Sequence, residues 1–564
     1  MASIAYVWAF AKLHIVLGSG DLMFHANRME EMYRDLQHGV FIPRISTYSF
    51  NQVGSGINFF YPWLLLYPFV LFRLITHNPI SAFYLGIILE TFATLSIAYY
   101  SMHKYSKSKK RAVIFSFLYT FATYRLYLVF NQNVLAESIG YIFIPLVLLG
   151  FYETFFRNKQ QWPLLAIGMS LLLYSHMLTT ALVALFLLIT LIIFWRNVNG
   201  IVQRMWAAIK AVGLSVLLTA FYLFPFIEQT LGNHLRASWK GLLFIKQPSE
   251  VIQLSLDNSP SQVVGFLLIL VLIFGFIYLR KSPIVEKYSY FAGLILTLLT
   301  TQLFPWGAFL HTPIANLQFP YRLNGLATVM LCVYLSFIIQ NIVDNLKSHY
   351  KLPVGLSLLI LFVLTFGLTL TGEKQIISQR INIPLLTARP TVKHYYPAEN
   401  SASYNLSKET WHNMFYYYGH NGAFDYFPVT VKGQINTAVV THYAYVGGKK
   451  IPFDKRLKSA PNRLTFELSG FKAGSIINLP VLYYKNDLIK VGNGKFKQPL
   501  ISKVNTLQVR VPKNNKQAVV KYQDSILDTV SIILSIGTWL VVVIKYIKSV
   551  LVRGNKCETV SKTN

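Results

Sequence analysis

The sequence predicts a polytopic α-helical membrane protein of about twelve spans, with a C-terminal extracytoplasmic domain that contains a β-sandwich. Three observations predict it. Hydrophobic residues make up 54% of the 564 and charged residues 13%, where a soluble domain carries about 25% charged. Apolar runs long enough to span a bilayer recur from end to end. Basic residues, 52 against 22 acidic for a net charge of +30, gather at the ends of those runs. A disordered chain and an ordinary soluble enzyme are excluded. The basic excess reads as membrane topology and contact with anionic lipid headgroups rather than as a nucleic-acid surface. Two cysteines, Cys332 and Cys557, cannot build a disulfide framework or a zinc site.

Met1 to Leu17 is apolar, with no basic n-region and no A-x-A cleavage site, and reads as a retained first span. It is short for a span, which leaves the chain's start open. Further runs lie at 59–75, 80–100, 112–130, 138–156, 163–178, 179–195, 206–227, 261–279, 289–304, 323–343, 353–371 and 526–549. Lys104, Lys107, Lys109, Lys110 and Arg111 form the densest basic loop, which places it in the cytoplasm. Every second loop from there is basic too: Arg157 and Lys159, Arg196 and Arg204, Arg280 to Lys287, Lys347 and Lys351, and the tail after Lys545. Only the start conflicts. If both 59–75 and 80–100 cross, the N-terminus lies outside. If 59–75, which contains Pro62 and Pro68, stays in the outer leaflet or re-enters, both termini are cytoplasmic and 18–79 is one outer loop. The second map is adopted.

Two pieces then face outward. Asp21 to His38 carries Leu22, Met29, Met32, Tyr33 and Leu36 on one helical face, the pattern of an interfacial amphipathic helix. Residues 372–525 are polar. Their later half alternates β-rich stretches at Leu464–Leu468, Ile476–Tyr484, Thr506–Val511 and Ala518–Tyr522 with Gly, Asn and Pro turns, most simply a small sandwich. The expected division is 1–371 for the transmembrane domain, 372–525 for the outer domain, and 526–564 for the last span and cytoplasmic tail.

No phosphate-cradling glycine loop, G-x-S-x-G or H-E-x-x-H occurs. Ionisable groups at membrane depth or on the outer face are therefore the candidates. Asp21 is either the N-cap of its helix or a general base at the membrane surface. His25 and Arg28 share its helical face. Glu137 is either a first-turn acid or a second carboxylate in the same cavity. Arg125, inside the 112–130 run, calls for a carboxylate or phosphate partner. His176 ends a run and reads as either a structural or a substrate-binding histidine. Arg322 follows Gln318-Phe319-Pro320-Tyr321 at a helix start, either a snorkelling cation or an anion site. Glu90 lies mid-run. Trp411, Tyr416, Tyr417 and Tyr418 are either sugar-stacking rings or core.

These residues carry a resemblance. Gly20-Asp21-Leu22-Met23-Phe24-His25-Ala26-Asn27-Arg28, Gly39-Val40-Phe41-Ile42-Pro43, Gly54 and Phe59-Phe60-Tyr61-Pro62 resemble the first outer loop of a bacterial membrane family labelled "6-pyruvoyl-tetrahydropterin synthase-related", close to the YfhO-like proteins. Leu135-Ala136-Glu137, Tyr174-Ser175-His176, Gln318-Phe319-Pro320-Tyr321-Arg322 and Asp425-Tyr426-Phe427-Pro428 resemble its later motifs. Leu479 to Tyr484 resembles the YfhO-like outer domain. The order of these short motifs is specific along nearly the whole chain. That family in turn resembles the GT-C membrane glycosyltransferases.

The resemblance implies a GT-C-like enzyme of the bacterial cell membrane that takes a sugar from a polyprenyl-phosphate donor. It implies Asp21 as the base and Glu137 as the second acidic position. Donor or substrate contacts would come from His25, Arg28, Arg125, His176, Gln318, Tyr321 and Arg322. The acceptor would be an extracytoplasmic glycan or a teichoic-acid-like polymer. Many GT-C members pair two acidic residues in the first loop, and Asp21 has no acidic neighbour. No metal ligand set is assigned, and a divalent metal stays open as a cofactor. Two other classes fit the same features: a transporter or flippase of lipid-linked sugars, although the pseudo-repeats expected of one are not seen, and a non-catalytic scaffold of envelope assembly.

Overall fold

The computed structural model describes the chain apart from residues 237–240, 351–352, 387–402, 417–423, 430–436, 441, 454–455, 503–504 and 562–564. Tyr417 and Tyr418, expected to cluster with Trp411 and Tyr416, thus lie outside the described residues. The first half runs α1 (Ala2–Ala11), β1 (Val16–Gly18), α2 (Leu22–Gln37), α3 (Ile57–Phe60), α4 (Tyr67–Thr76), α5 (Pro79–Ser106), α6 (Lys109–Thr120), α7 (Thr123–Leu126) and α8 (Leu135–Phe156). Then come α9 (Trp162–Leu173), α10 (Met177–Phe194), α11 (Ile201–Leu218), α12 (Ala220–Gly232), α13 (Pro248–Leu256), α14 (Phe266–Phe274), α15 (Ile284–Leu299), α16 (Asn324–Tyr350) and α17 (Val354–Arg380). The outer domain holds β2 (Tyr404–Leu406), α18 (Thr437–Val440), β3 (Tyr443–Val446), β4 (Lys449–Pro452), β5 (Leu457–Ala460), β6 (Arg463–Glu467), β7 (Ile476–Leu482), β8 (Asp487–Val491), β9 (Leu500–Ile501), β10 (Thr506–Arg510) and β11 (Gln517–Tyr522), and α19 (Ile526–Ser561) ends the chain.

The chain is a multi-pass membrane protein. Among the described residues, seven helical stretches are long and apolar enough to cross a bilayer, lying in α5, α8, α10, α11, α16, α17 and α19. An eighth is the pair Lys109–Thr120 and Thr123–Asn131, bent by 41°. The other four expected spans form shorter helices. α1 has 10 residues, α9 has 12, α14 has 9 and α15 has 16, where crossing takes about 20. Three of them stop for a local reason. The turn after α1 puts His14 at φ +56°, and His176 is extended after α9. α14 tightens into a 3-10 helix at Gly275. The 59–75 run is not one helix either: it breaks at Tyr61, between the α-helices Ile57–Phe60 and Tyr67–Thr76.

Residues 443–522 form two antiparallel sheets in the orders β4-β3-β7-β10-β9 and β5-β6-β11-β8. They enclose a core that includes Phe466, Ile477, Leu479, Val481, Leu507 and Val520. This is the expected sandwich, produced by period-two alternation: in β11 Ala518, Val520 and Tyr522 are buried, with Gln517, Val519 and Lys521 on the other face.

The first outer loop departs from expectation. α2 does form, with Leu22, Met29 and Met32 in the main core. An interfacial helix would leave its polar face wet, yet His25, Asn27, Arg28, Glu31 and Asp35 are all fully buried. The outer domain covers them. β1 pairs antiparallel with β2. Asn462 Oδ1 accepts from the Arg44 and Ile45 N–H groups, and Leu482 N–H donates to the Val53 carbonyl. Loop 18–79 and the sandwich are therefore one packed unit above the bundle.

Arg44 fastens that unit to α19. Its buried guanidinium lies 2.8 Å from Asp524 and 3.5 Å from Asp528, the latter wholly buried. Removing one partner of a buried pair strands the other charge. Arg44→Met should destabilise the protein by about 3 kcal/mol, read as a lowered thermal midpoint in detergent, with Asp524→Asn alone nearly neutral because that carboxylate is 46% exposed.

Candidate functional site

Gly20 and β1 place Asp21. Gly20 is left-handed, φ +46°, and a Cβ there would sit 2.2 Å from the Gln132 carbonyl. Only glycine allows this approach, through which the Asp21 N–H donates to that same carbonyl at 3.2 Å. Asp21 occupies the N-cap position of α2, but its side chain makes no capping bond. Among the described residues the carboxylate has no hydrogen-bond or ion-pair partner. Burial pushes it up to about 6; Arg322 pulls it down, and Glu137 and Asp425 push it further up.

Arg322 is the cation of this cluster. Proline at 320 opens a short 3-10 turn that leads into α16. Arg322 Nη1 donates to Gln318 Oε1 at 2.9 Å and to the Leu317 carbonyl at 3.0 Å, and the guanidinium lies over the Phe319 ring at 4.9 Å. Gln318 is held at φ +62°, a strained conformation outside glycine. Glu137, in the first turn of α8, accepts from the Tyr124 hydroxyl at 2.6 Å and faces Arg322 Nε at 3.5 Å. That last separation is an ion-pair contact and too long for a made hydrogen bond. Tyr321 stacks on Phe319 at 5.3 Å and meets the Tyr127 ring edge-on at 5.8 Å.

A second layer meets the first through Tyr61, whose phenol feels the charges of Asp21, Arg322 and Arg28. Arg28 lies over the Tyr61 ring at 4.9 Å. It donates to the Tyr61 and Pro62 carbonyls and to Asn58 Oδ1, so most of its donors hold the end of the first loop, and Nη1 is buried without a partner. The His25 ring packs edge-on to Phe24 and Tyr61. Both of its ring nitrogens are buried and unpartnered, and burial, then Arg28 and His176, hold it neutral, well below the usual histidine range. His176 lies 6.0 Å from the Tyr61 ring, and its Nδ1 pairs with Thr179 Oγ1 at 2.8 Å.

Arg125, expected among the phosphate contacts, is elsewhere. Its guanidinium is spent on Glu90 at 3.2 Å and Thr91 at 3.0 Å, over the Tyr6 ring. Its partner is therefore Glu90, for which the sequence suggests a neighbouring Ser or Tyr, because burying either charge alone would be costly. Two members of the site were missed. Asp425 is carried in by 424–429, which bonds to 234–236 through Tyr426 N–H to the Arg236 carbonyl and Arg236 N–H to the Phe427 carbonyl. Burial raises it to about 6. Tyr404, on β2, feels the charge of Asp21. The Asp425-Tyr426-Phe427-Pro428 motif, a lone acid among aromatics, was the available signal for the first; nothing local marked the second. Among the described residues, no three His, Cys, Asp or Glu side chains are gathered so as to hold a metal.

A sequence profile of the family described as "6-pyruvoyl-tetrahydropterin synthase related domain; membrane protein" matches residues 58–373. An uncharacterized protein of Lactococcus lactis subsp. cremoris (strain MG1363) is 24% identical over 318 residues, which cover 51% of this chain and 50% of that one. The chain thus spans about half the length of the curated relative that it matches. Among solved structures, the mycobacterial arabinofuranosyltransferase AftD is similar at TM-score 0.39 and 15% identity, over 66% of this chain and 26% of that enzyme. ArnT from Cupriavidus metallidurans, bound to undecaprenyl phosphate, is similar at TM-score 0.37 and 10% identity, over 67% and 70%.

Gly20→Ala tests the placement of Asp21. The added methyl should cost about 1–3 kcal/mol of stability and displace the carboxylate, seen as a lower thermal midpoint. Gly39→Ala serves as the control, because its Cβ would meet nothing within 4 Å although its φ is also positive.

Proposed function

The chain belongs to the 6-pyruvoyl-tetrahydropterin synthase related family of membrane proteins, and for this member we propose a glycosyltransferase that moves a sugar from a polyprenyl-phosphate donor to an extracytoplasmic glycan or polymer. One observation carries the reading: the Asp21 carboxylate is unpartnered and raised to about 6 beside Arg322, where the bundle meets the outer domain. A base that ionises near neutral pH suits proton abstraction from a hydroxyl. The motif resemblance to GT-C enzymes supports the same chemistry.

Asp21 takes the proton of the acceptor hydroxyl as its oxygen attacks the anomeric carbon. The bond from that carbon to the phosphate oxygen breaks, and polyprenyl phosphate leaves. Arg322 meets the developing charge; its long contact with Glu137 leaves an edge for a phosphate oxygen. Glu137 holds Arg322 in place. Gln318 fixes the guanidinium and Tyr321 walls the site. In-line attack inverts the anomeric centre. His25 and His176 serve better as neutral hydrogen-bonding groups for sugar hydroxyls than as phosphate ligands. Arg28 keeps one N–H group for substrate and otherwise positions Tyr61. Residues 372–525 contribute Asp425 and Tyr404 on the acceptor side.

Asp21→Asn tests the base. Transfer, measured as lipid-phosphate release from polyprenyl-phosphate sugars, should fall by about 10²–10⁴-fold with the protein still folded; near-normal transfer would move the search to Glu137. The pH profile follows with a defined sign. Asp21 works ionised, so the rate should drop as pH falls through about 6, with about a tenth of sites active at pH 5. Asp425→Asn should keep that limb and shift it slightly to lower pH, because one neighbouring negative charge is gone.

In the proposed topology both termini are cytoplasmic and 18–79 and 372–525 lie outside. Phe41→Cys, at an exposed position, should react with a membrane-impermeant maleimide in intact cells, and Lys107→Cys only after permeabilisation, both in a background with Cys332 and Cys557 replaced by alanine. The reverse pattern would move Asp21 to the wrong face.

A further inference from the structure

The bundle contains a cavity of about 290 Å³ between α5, α6, α8, α10, α15 and α16. It lies far from Asp21. Glu137 starts α8 at the site, whereas the α8 residues that line the cavity run from Pro145 to Phe156, the last roughly 28 Å along the helix from Glu137, and this end is taken as its mouth. That is about one hydrocarbon thickness, so the mouth opens at the opposite leaflet.

The lining fits an alkyl chain. Met102, Leu149, Val329 and Met330 form its depth. An apolar cavity of about 150 Å³ stays dry and takes up benzene, so water is a poor filler for one of this size, and close packing disfavours leaving it unfilled. A collar of rings surrounds the mouth. Tyr105 and Tyr152 meet at 5.2 Å, Tyr152 and Phe156 at 6.2 Å, Phe156 and Phe194 at 6.3 Å, and Phe194 and Tyr288 at 5.1 Å. Tyr288 also bonds Thr190 Oγ1 at 2.6 Å, so one side chain of α15 spans the gap to α10. The outer faces of both helices are exposed and apolar, with Ile192 on one and Ile295 on the other. A chain in the bilayer can therefore enter sideways past Tyr288.

Charge sets the head. Lys104, Arg157, Arg196 and Lys287 are each adjacent in sequence to a lining residue of the mouth: Tyr105, Phe156, Asn197 and Tyr288. Two acids lie nearby. Glu153 contacts Arg157 at 3.4 Å, and Glu286 is taken by Arg111 at 2.9 Å and by the Tyr105 hydroxyl. Lys104, Arg196 and Lys287 have no carboxylate partner among the described residues. A dry alkyl slot beneath a cationic, aromatic rim selects an anionic amphiphile.

We propose that this cavity binds one acyl chain of an anionic glycerophospholipid from the leaflet opposite the Asp21 cluster, with its phosphate on the basic rim and its ester region against Tyr288 and Asn197. The experiment is native mass spectrometry of the full chain released from nanodiscs that contain equal phosphatidylglycerol and phosphatidylcholine. Wild type should retain one phosphatidylglycerol at least tenfold in excess of phosphatidylcholine. Val329→Trp, which fills the slot, should lose it while far-UV circular dichroism and elution volume stay unchanged. If that variant does not fold, the triple change Lys104→Gln, Arg196→Gln, Lys287→Gln decides, because it keeps the slot and should abolish the preference between the two lipids. Equal retention of both lipids by wild type, retention unchanged in the variants, or displacement of the bound lipid by added polyprenyl phosphate would each overturn the proposal. None of these readouts depends on glycosyl transfer.

Discussion

The outer half of the protein depends on how the buried polar face of α2 is held, above all at Glu31. A carboxylate taken out of water stays ionised only if it is hydrogen-bonded or paired, and otherwise goes neutral, as Asp35 does, pushed up to about 9 by burial and by Glu31. Glu31 meets that demand with five donors from one turn: Thr47 N–H and Oγ1, Tyr48 N–H, and Ser49 N–H and Oγ. Those bonds fix the 44–55 segment over α2. That segment is what the sandwich grips, through Ser459 Oγ to the Thr47 carbonyl and Gln52 to Ser459 at 2.8 Å. Asn27 adds a bond from the Phe50 N–H. The helix that starts at Asp21 is thereby clamped from both sides, and the carboxylate's position is inherited from the clamp.

Much of this was legible in the chain, for reasons that are physical. Long apolar runs report burial in lipid directly, so α5, α8, α10, α16, α17 and α19 were found where the sequence placed them. Period two is as local as period 3.6, so the expected stretches at 464–468, 476–484, 506–511 and 518–522 match β6, β7, β10 and β11 to within two residues. Failures occurred where a partner is remote. α1 reads as a span because its residues are apolar, and nothing nearby announces that Val16–Gly18 will leave the helix to pair with Tyr404–Leu406. α2 reads as interfacial because composition cannot reveal a domain that returns, hundreds of residues later, to cover its polar side.

The site divides in the same way. Asp21, Glu137 and Arg322 were selected separately as ionisable groups at membrane depth or on the outer face, Gln318 and Tyr321 came in with the motif that leads to Arg322, and the fold brings Glu137, Gln318 and Arg322 into contact, with Asp21 within reach of their charges. His25, Arg28 and His176 form an adjoining layer around Tyr61, a residue quoted in a motif and given no role. Arg125 was recognised as needing an anion, and the choice between carboxylate and phosphate was a matter of which helix faces it; α5 does, with Glu90. Asp425 could not be assigned from its surroundings in sequence, because its importance comes from the contact between 424–429 and 234–236.

The pairing of β1 with β2 has a consequence for how the protein is made. Roughly 390 residues separate the two strands, and synthesis at about 5–20 residues per second delivers the second some 20–80 s after the first. During that interval the N-terminal strand has unpaired backbone groups and the clamp over α2 cannot close. The Asp21 cluster is thus among the last parts of the molecule to mature, assembled only when the C-terminal domain has been delivered beside the first loop. A truncated or stalled chain presents a first loop without its cover rather than a half-built cluster.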